Sequence, residues 1–446
     1  MKLPEAFIER IKKQRPLDYK QLLESFNLET FQGLRVNTLK ISVESFLEKF
    51  PFTLQPVPWT GDGFYYSDED AVTKHPYFHA GLYYIQEPSA MSPVGTLTLN
   101  RGEKCLDLCA APGGKSLQMA TGIQDRGLLV TNDINDKRVK AIVRNIERFG
   151  LRNVIVLNES PNRIRQHFGA FFDEVLVDAP CSGEGMFRKD PKAIGAWAVY
   201  ENDRCAEMQR DILKSVQGLL TYQGRLTYST CTFAPEENEL QMLEFQREYP
   251  YFEKDFQSNS LEATGIEVNE HEMKLLPHKV KGEGHYIARF KCTLDLETGV
   301  IFKEDETTSK TPPSVLAEFM QEHLTDPLEG RFKMIKEKVH LMPEVVVPTK
   351  GLKVAREGVY LGDIKGQNFM PSQAFALYVN PNHFKNKIDF SSDSIEIVKY
   401  LKCETLYVDH EGKGLHLVTT DGFPVGFCKL QNGMLKNLYP ASWRMF

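Results

Sequence analysis

From about residue 80 to residue 292 the chain alternates short apolar runs with segments whose apolar residues recur every three or four positions. Apolar runs bounded by turn residues read as buried strands, and the 3.6-residue period reads as amphipathic helix. The strands predicted in this way are Cys105–Leu108, Leu128–Asn132, Val154–Leu157, Val175–Asp178, Arg225–Ser229 and Tyr286–Phe290. The best helix covers 136–149, with Val139, Ile142, Val143, Ile146 and Phe149 on one face and Lys137, Arg138, Lys140, Arg144 and Arg148 on the other. Strands alternating with helices make βαβ units, so a Rossmann-like α/β core with a mostly parallel sheet over 79–293 is the leading fold.

The flanks follow other patterns. Residues 1–78 combine a helical start, the strand-like Gly33–Lys40 and a Pro- and Gly-punctuated stretch from Pro51 to Gly63, a small α+β segment. The polar run Phe302–Pro313 breaks the periodicity, which predicts a linker over 294–313. Residues 314–390 are mixed and are expected to form a middle C-terminal domain. Residues 391–446 hold short alternating segments such as Leu415–Val418 and Gly426–Lys429, as in a small β-rich module.

Composition narrows the class. A chain of 446 residues, 41% apolar and 26% charged, is globular and long enough for two or three domains. No run approaches the ~20 apolar residues of a membrane helix, and Met1–Arg10 lacks the apolar stretch of a signal peptide; a cytoplasmic monomer is expected. Eight cysteines show no Cys-x-x-Cys pair, and Cys105/Cys109 has no matching His or Cys pair downstream, so neither a metal site nor a disulfide framework is expected. The net charge of −6 argues against an overall basic nucleic-acid binder but is silent about local patches. Arg10, Lys12, Lys13 and Arg15, and Lys137 to Arg152, are such clusters; solvated helix faces explain them equally well.

Cys105–Ser116 reads as a strand, a glycine-rich turn and a helix start, and three nucleotide-binding patterns compete for it. A Walker loop needs glycine where Cys109 stands. A dinucleotide fingerprint needs Gly-x-Gly-x-x-Gly, and the chain offers Ala-x-Gly-Gly-Lys over 111–115. What remains is a tight turn, Cys109, Ala110, Ala111, Pro112, Gly113, Gly114, Lys115 and Ser116, followed some 20 residues later by Asp133 at a second strand end, placed for ribose hydroxyls. S-adenosyl-L-methionine, with a ribose and adenine but no phosphate, fits best. Cys181 and Cys231 then each follow a predicted strand, and strand ends are where an open α/β sheet binds and transforms ligands, so both thiols belong to one crevice beside the cofactor. Burial as inert thiols is the expectation for Cys105, Cys205, Cys292, Cys403 and Cys428.

The segments Gly33–Lys40, Tyr84–Met91, Leu106–Ser116, Asp178–Gly185, Tyr228–Cys231, Pro235–Glu239 and Lys281–Gly284 resemble, in order, those of the Sun-type RNA cytosine-5 methyltransferases, especially the bacterial ribosomal-RNA small-subunit methyltransferase F-like group. The end, Gly433–Pro440, resembles that group's RNA-binding PUA-like module. The resemblance implies an S-adenosylmethionine-dependent RNA (cytosine-C5) methyltransferase acting on small-subunit (16S) ribosomal RNA or the small subunit. It implies Cys231 as the nucleophile that adds to cytosine C6, Cys181 in the release step, and Asp178 on the N3/N4 edge of the base as well as lining the cofactor site. A carboxyl donating to N3 would need a raised pKa. Lys115 supplies a positive field, holds Asp178, or forms a plain salt bridge. The family usually has an aspartate toward the adenine where this chain has Ser160, leaving Ser160, or Asn158 or Glu159, to take over that hydrogen bond.

RNA affinity would come from basic groups, with Arg35, Lys40, Arg188 and Lys189 as candidates beside ordinary surface charge. The alternatives are a tRNA cytosine-C5 methyltransferase and a catalytically idle RNA-binding or ribosome-assembly factor. A cysteine-dependent acyl transferase or hydrolase is another class, for which none of the 11 histidines has a motif tying it to Cys181 or Cys231; DNA cytosine methylation is a closer rival, sharing the thiol addition but with the Pro-Cys thiol attacking.

Overall fold

A computed structural model describes residues 1–197, 202–255, 264–269, 272–295, 302 and 305–445. The expected α/β core is present. Strands β1 (Lys104–Asp107), β2 (Leu128–Asn132), β3 (Val154–Leu157), β4 (Phe172–Asp178) and β5 (Leu220–Thr230) run parallel in the order β3-β2-β1-β4-β5. Strand β6 (His285–Cys292) adds antiparallel to β5. From β1 the chain winds outward to β2 and β3, then crosses back to β4 on the other side. The crevice at the carboxyl ends of β1 and β4 is therefore the topological switch point.

The apolar runs form strands because they are covered on both faces: Leu106, Val130, Ile155, Val156, Leu176 and Val177 have no exposed surface. Strand β4 begins three residues earlier than its apolar run suggests. Glu174, fully buried, interrupts the pattern, yet it is satisfied by Arg225 Nε and Thr227 Oγ1 on β5, each at 2.8 Å.

Helix α1 (Gly114–Ile123) follows β1, and helix α2 (Asp136–Phe149) matches its predicted span. The Asn135 side chain caps the start of α2 by accepting from the amides of Lys137 and Arg138, and Gly150, at φ +70°, ends it. Val139, Ile142, Ile146 and Phe149 are buried as expected.

Four antiparallel strands at the N-terminus, in the order Gln55–Pro56, Gly63–Tyr66, Gln32–Val36 and Tyr83–Ile85, pack against this core. The fit is tight at Gly81 (φ +70°), where an added Cβ would lie 1.9 Å from the Arg148 carbonyl oxygen on α2. At the other end are two five-stranded sheets. One holds strands from Thr308–Ser309 to Asn368–Pro371, and the other holds strands from Lys387–Phe390 to Met434–Asn437. Within the expected linker, 296–301 and 303–304 lie outside the described residues, while Thr308–Ser309 pairs with Phe332–Ile335.

The core sheet also holds strands that the sequence pattern does not show: Phe252–Lys254, Glu267–Val268 and Glu272–Leu275 beyond Tyr286–Phe290, and one from far along the chain. Strand β7 (Val354–Glu357) comes from the middle C-terminal region and pairs antiparallel with β3, extending the core sheet. The basic face of α2 also differs from expectation. Arg144 and Arg148 lie over the Trp443 ring, 5.3 and 5.5 Å from its centroid, and Arg148 also lies 4.4 Å from the centroid of Phe78. These two cations dock the terminal module onto the core, whereas Lys137 and Lys140 stay exposed.

Candidate active site

The turn after β1 is shaped by three contacts. The Ala110 amide donates to Asn132 O at 2.8 Å, the Ala111 amide to Asp133 Oδ2 at 3.3 Å, and the Gly113 amide to Ala110 O at 2.7 Å. Gly113 has φ +108°, where any side chain is strained. A Cβ on Gly114 would lie 2.8 Å from the Tyr84 ring. Tyr84–Gln86 thus packs directly on the turn, which gives a structural task to that N-terminal motif. Ser116 turns inward, donating to Asp107 Oδ2 at 2.6 Å, and burial pushes the Asp107 carboxyl up to about 7. The half-buried Cys109 thiol is raised by burial.

Asp133, 3% exposed, sits just past β2 and also accepts from the Asn135 amide at 2.8 Å. A carboxylate offers about four acceptor sites, so these bonds leave room for ribose hydroxyls; with the glycine turn facing it, the corner fits a nucleoside cofactor. At the end of β3, Asn158 Nδ2 donates to Asp133 O at 2.8 Å, and Glu159 Oε1 accepts from the Lys353 amide at 2.8 Å. Ser160 is exposed and its hydroxyl caps the helix Pro161–Phe168 by accepting from the Arg163 amide. Of the three residues considered for the adenine-side contact, Asn158 is the one that touches the Asp133 corner.

Across the crevice, Asp178 ends β4. Its Oδ2 accepts from Lys115 Nζ at 2.8 Å and its Oδ1 from Ser229 Oγ at 2.8 Å, and His285 Nε2 lies 3.5 Å from Oδ1. Burial pushes this carboxyl up, but the Lys115 ammonium and then His285 outweigh it, leaving it well below the usual carboxylate range. The raised pKa that donation to N3 would need is therefore not met: Asp178 is an acceptor only. Burial works against the Lys115 charge, yet Asp178 keeps its ammonium above the ordinary lysine value.

Cys181 and Cys231, fifty residues apart in sequence, bring their Sγ atoms within 3.4 Å as free thiols. The neighbouring Cys231, followed by burial, pushes the Cys181 thiol well up. The loops that carry them are braced by Pro235–Glu239. Glu237 Oε2 accepts from the Ser182 amide and from Gln209 Nε2, both at 2.9 Å, and Asn238 Nδ2 donates to Thr232 O at 2.9 Å. Gly185 has room for no side chain, since a Cβ would lie 2.9 Å from the carbonyl oxygens of both Cys231 and Glu283.

Three of the proposed phosphate contacts are structural instead. Arg35 is fully buried, joining Asp62 Oδ2 at 3.0 Å to Gly114 O at 3.3 Å. Lys40 donates to Ala80 O at 2.8 Å, and burial lowers its pKa to about 7. Arg188 pairs with Glu283 at 2.8 Å, both side chains under 5% exposed. Each charge looks free in the sequence because its partner lies far along the chain; Lys189 is half-buried. In the N-terminal cluster, Arg10 pairs with buried Glu184 and Arg15 with Asp18 and Glu267. Among the described residues, no cluster of His, Cys, Asp and Glu is placed to hold a metal ion, and no helix is long and apolar enough to cross a membrane.

Residues 94–291 match the family 16S rRNA methyltransferase RsmB/F, and residues 3–88 match the N-terminal domain of 16S rRNA methyltransferase RsmF. Residues 318–379 match the RsmF rRNA methyltransferase first C-terminal domain, and residues 385–445 the methyltransferase RsmF PUA domain. Ribosomal RNA small subunit methyltransferase F of Enterobacter sp. (strain 638) is 31% identical over 468 residues, covering 98% of this chain and 95% of that protein. Among solved structures, a methyltransferase homolog protein from Pyrococcus horikoshii shares 29% identity with a TM-score of 0.54, over 65% of this chain and 95% of that one. NSun6 from Pyrococcus horikoshii, crystallised with SFG, shares the fold at 20% identity and a TM-score of 0.54, over 66% of this chain and 99% of that one. A likeness that runs through four consecutive segments and nearly the whole length of a relative is that of common descent, and the chain belongs to the family of ribosomal RNA small subunit methyltransferase F.

Proposed function

We propose that the protein transfers a methyl group from S-adenosyl-L-methionine to C5 of a cytidine in small-subunit ribosomal RNA, through a covalent bond between Cys231 and C6 of the base. The observation that carries this reading is the meeting of two thiols, 3.4 Å apart, beside the Lys115–Asp178 pair at the switch point. Cytosine C5 is too weak a nucleophile to attack a sulfonium methyl unaided, and addition of a thiolate at C6 pushes electron density onto it. When bound against Cys109–Ser116, Asp133 and Asn158, the cofactor supplies the electrophilic methyl.

The neighbouring Cys231 and then burial push the Cys181 thiol well up, so it stays protonated beside the sulfur that attacks. Cys231 lies within electrostatic reach of the Lys115 ammonium, so negative charge that forms on its sulfur during attack faces a cation. After methylation a base takes the C5 proton, the electron pair of that bond re-forms the C5=C6 double bond, and the Cys231–C6 bond breaks with sulfur leaving as a thiolate beside the Cys181 thiol. The target base must leave its stack to enter, which costs least in unpaired RNA, and the terminal module is the RNA grip.

The test is transfer of labelled methyl to 16S rRNA and small-subunit particles by wild type, Cys231→Ala and Cys181→Ala. Wild type should yield 5-methylcytosine and Cys231→Ala none, while Cys181→Ala should accumulate a covalent RNA adduct. The reverse pattern would assign attack to the Pro-Cys thiol as in DNA cytosine methylation. Transfer to tRNA alone would change the substrate, and no transfer to any RNA would leave an idle RNA-binding factor.

A further inference from the structure

His285 has no task in the steps above, yet the sheet register sets it beside the reacting thiol. In the β5–β6 pairing Tyr286 lies opposite Thr230 and Ile287 opposite Ser229, so the next position in register places His285 across from Cys231. Residues two apart on a strand share a face, and cross-strand partners project to the same side. His285 therefore belongs to the face that carries Ser229, and its Nε2 lies 3.5 Å from Asp178 Oδ1. It is 4% exposed; Nδ1 meets no hydrogen-bond partner among the described residues, and Nε2 has only the long, poorly aligned approach to Asp178. Three other buried or half-buried histidines keep one nitrogen bonded: His75 to the Tyr77 amide, His79 to Tyr439 Oη and His340 to Glu357 O. A buried imidazole with no well-aligned hydrogen bond is costly in a folded protein, and its place at the crevice points to a partner that arrives with the substrate.

Burial, and then the Lys115 charge, lowers the proton affinity of this imidazole, so the ring is neutral with a single N–H to donate. Asp178, held ionised, can only accept. Donor and acceptor thus stand side by side, 3.5 Å apart. On its Watson–Crick edge a cytosine presents the ring acceptor N3 next to the N4 amino donor. Uracil presents the opposite order, N3–H next to the acceptor O4.

We propose that His285 and Asp178 together read the edge of the incoming base, the imidazole N–H donating to N3 and the carboxylate accepting from the N4 amino group. This rests on the cytosine reading above and adds to it the residue that makes the site choose cytosine. Uracil in the same position would set donor against donor and carboxylate against carbonyl, so both contacts reject it. When the Cys231 thiolate adds to C6, the displaced electron pair passes to the C4–N3 side of the ring. The hydrogen bond from His285 then strengthens as the adduct forms, with no proton leaving the imidazole.

The experiment compares full-length wild type with His285→Gln, which keeps an N–H donor, and His285→Leu, which removes it. The readouts are 5-methylcytosine formation on 16S rRNA and S-adenosylmethionine affinity. The Gln variant should retain kcat/KM within about tenfold, the Leu variant should lose about 100-fold or more, and cofactor affinity should stay unchanged in both. Equal losses in the two variants, or a Leu variant within about threefold of wild type, would overturn the inference. If the Leu variant fails to bind cofactor, wild type and the Gln variant are compared on RNA carrying 3-deazacytidine at the mapped target. Because addition at C6 itself needs N3 as electron sink, the readout here is RNA affinity without turnover: a loss of about tenfold in wild type supports the contact to N3, and a loss under about threefold overturns it. Failure of the functional reading shows separately, as a wild-type product other than 5-methylcytosine.

Discussion

Asp107 and Asp178 end adjacent strands of one sheet and differ in how readily each gives up its proton. Asp107 is enclosed with one hydroxyl donor, and burial raises its carboxyl to about 7; Asp178 faces an ammonium and stays charged. The folded pKa of Asp107 lies above its unfolded value, so between about pH 4 and 7 the folded state binds the extra proton and stability falls as pH rises. Asp107→Asn should remove that slope and leave the variant more stable than wild type at pH 8 by on the order of 4 kcal/mol, with little difference at pH 4. Urea unfolding across this range checks it, and parallel curves for the two proteins would refute it. The depressed Asp178 works the other way, its contribution being lost only below the ordinary carboxylate range. At this scale the sequence was most legible where chemistry lies inside a contiguous motif, as for Lys115, Asp178, Cys181 and Cys231. It was silent on His285, whose link to the site is the β5–β6 register, and misleading on Arg35 and Arg188, whose carboxylate partners lie 27 and 95 residues away.

Elements were legible for the same kind of reason. Leu128–Asn132, Val154–Leu157 and 136–149 were found to the residue because burial on one face or two writes itself into the apolar pattern. The start of β4 was hidden by a carboxylate whose partner sits on the next strand. Helix α2 shows what a basic face can conceal: two of its cations are spent on Trp443, which is 8% exposed. Cutting back a buried aromatic costs about 3–5 kcal/mol in a core, and the stacked cations add about 0.5–1 kcal/mol each. Trp443→Ala should therefore destabilise the protein by about 3 kcal/mol and expose the terminal module to limited proteolysis, with cofactor affinity unchanged. Arg144→Ala should cost less than about 1 kcal/mol, because Arg148 still covers the ring. Thermal melting with a protease time course distinguishes the two, and a Trp443→Ala protein as resistant as wild type would show that the ring does not hold the module.

At the scale of the whole molecule the C-terminal third completes the sheet as well as following it. Strand β7 covers the edge of β3, an otherwise unpaired row of amides and carbonyls that invites association with another chain. Its hold is reinforced by Arg356 pairing with Glu147 on α2 and by Lys333, at 2.8 Å, satisfying the buried Glu357. The residue just before the strand, Lys353, is bonded through its amide to Glu159 and through its carbonyl to the Asn158 amide at 2.9 Å. Asn158 in turn holds the Asp133 corner, so the cofactor side of the crevice leans on residues nearly two hundred positions away. The sequence pattern could not show this, because Val354–Glu357 is a four-residue edge strand with no alternation of its own. A chain ended at residue 293 keeps every candidate catalytic residue yet should behave as a damaged enzyme. It should melt lower than the full chain and elute as larger species, because β3 is left bare. Its cofactor affinity should fall roughly tenfold, since the two backbone bonds to Lys353 are worth about 0.5–1.5 kcal/mol each and about 1.4 kcal/mol is tenfold. Size-exclusion chromatography and melting with and without S-adenosylmethionine measure all three. A truncated chain that stays monomeric and binds the cofactor as tightly as the whole would mean that the C-terminal third serves the RNA alone.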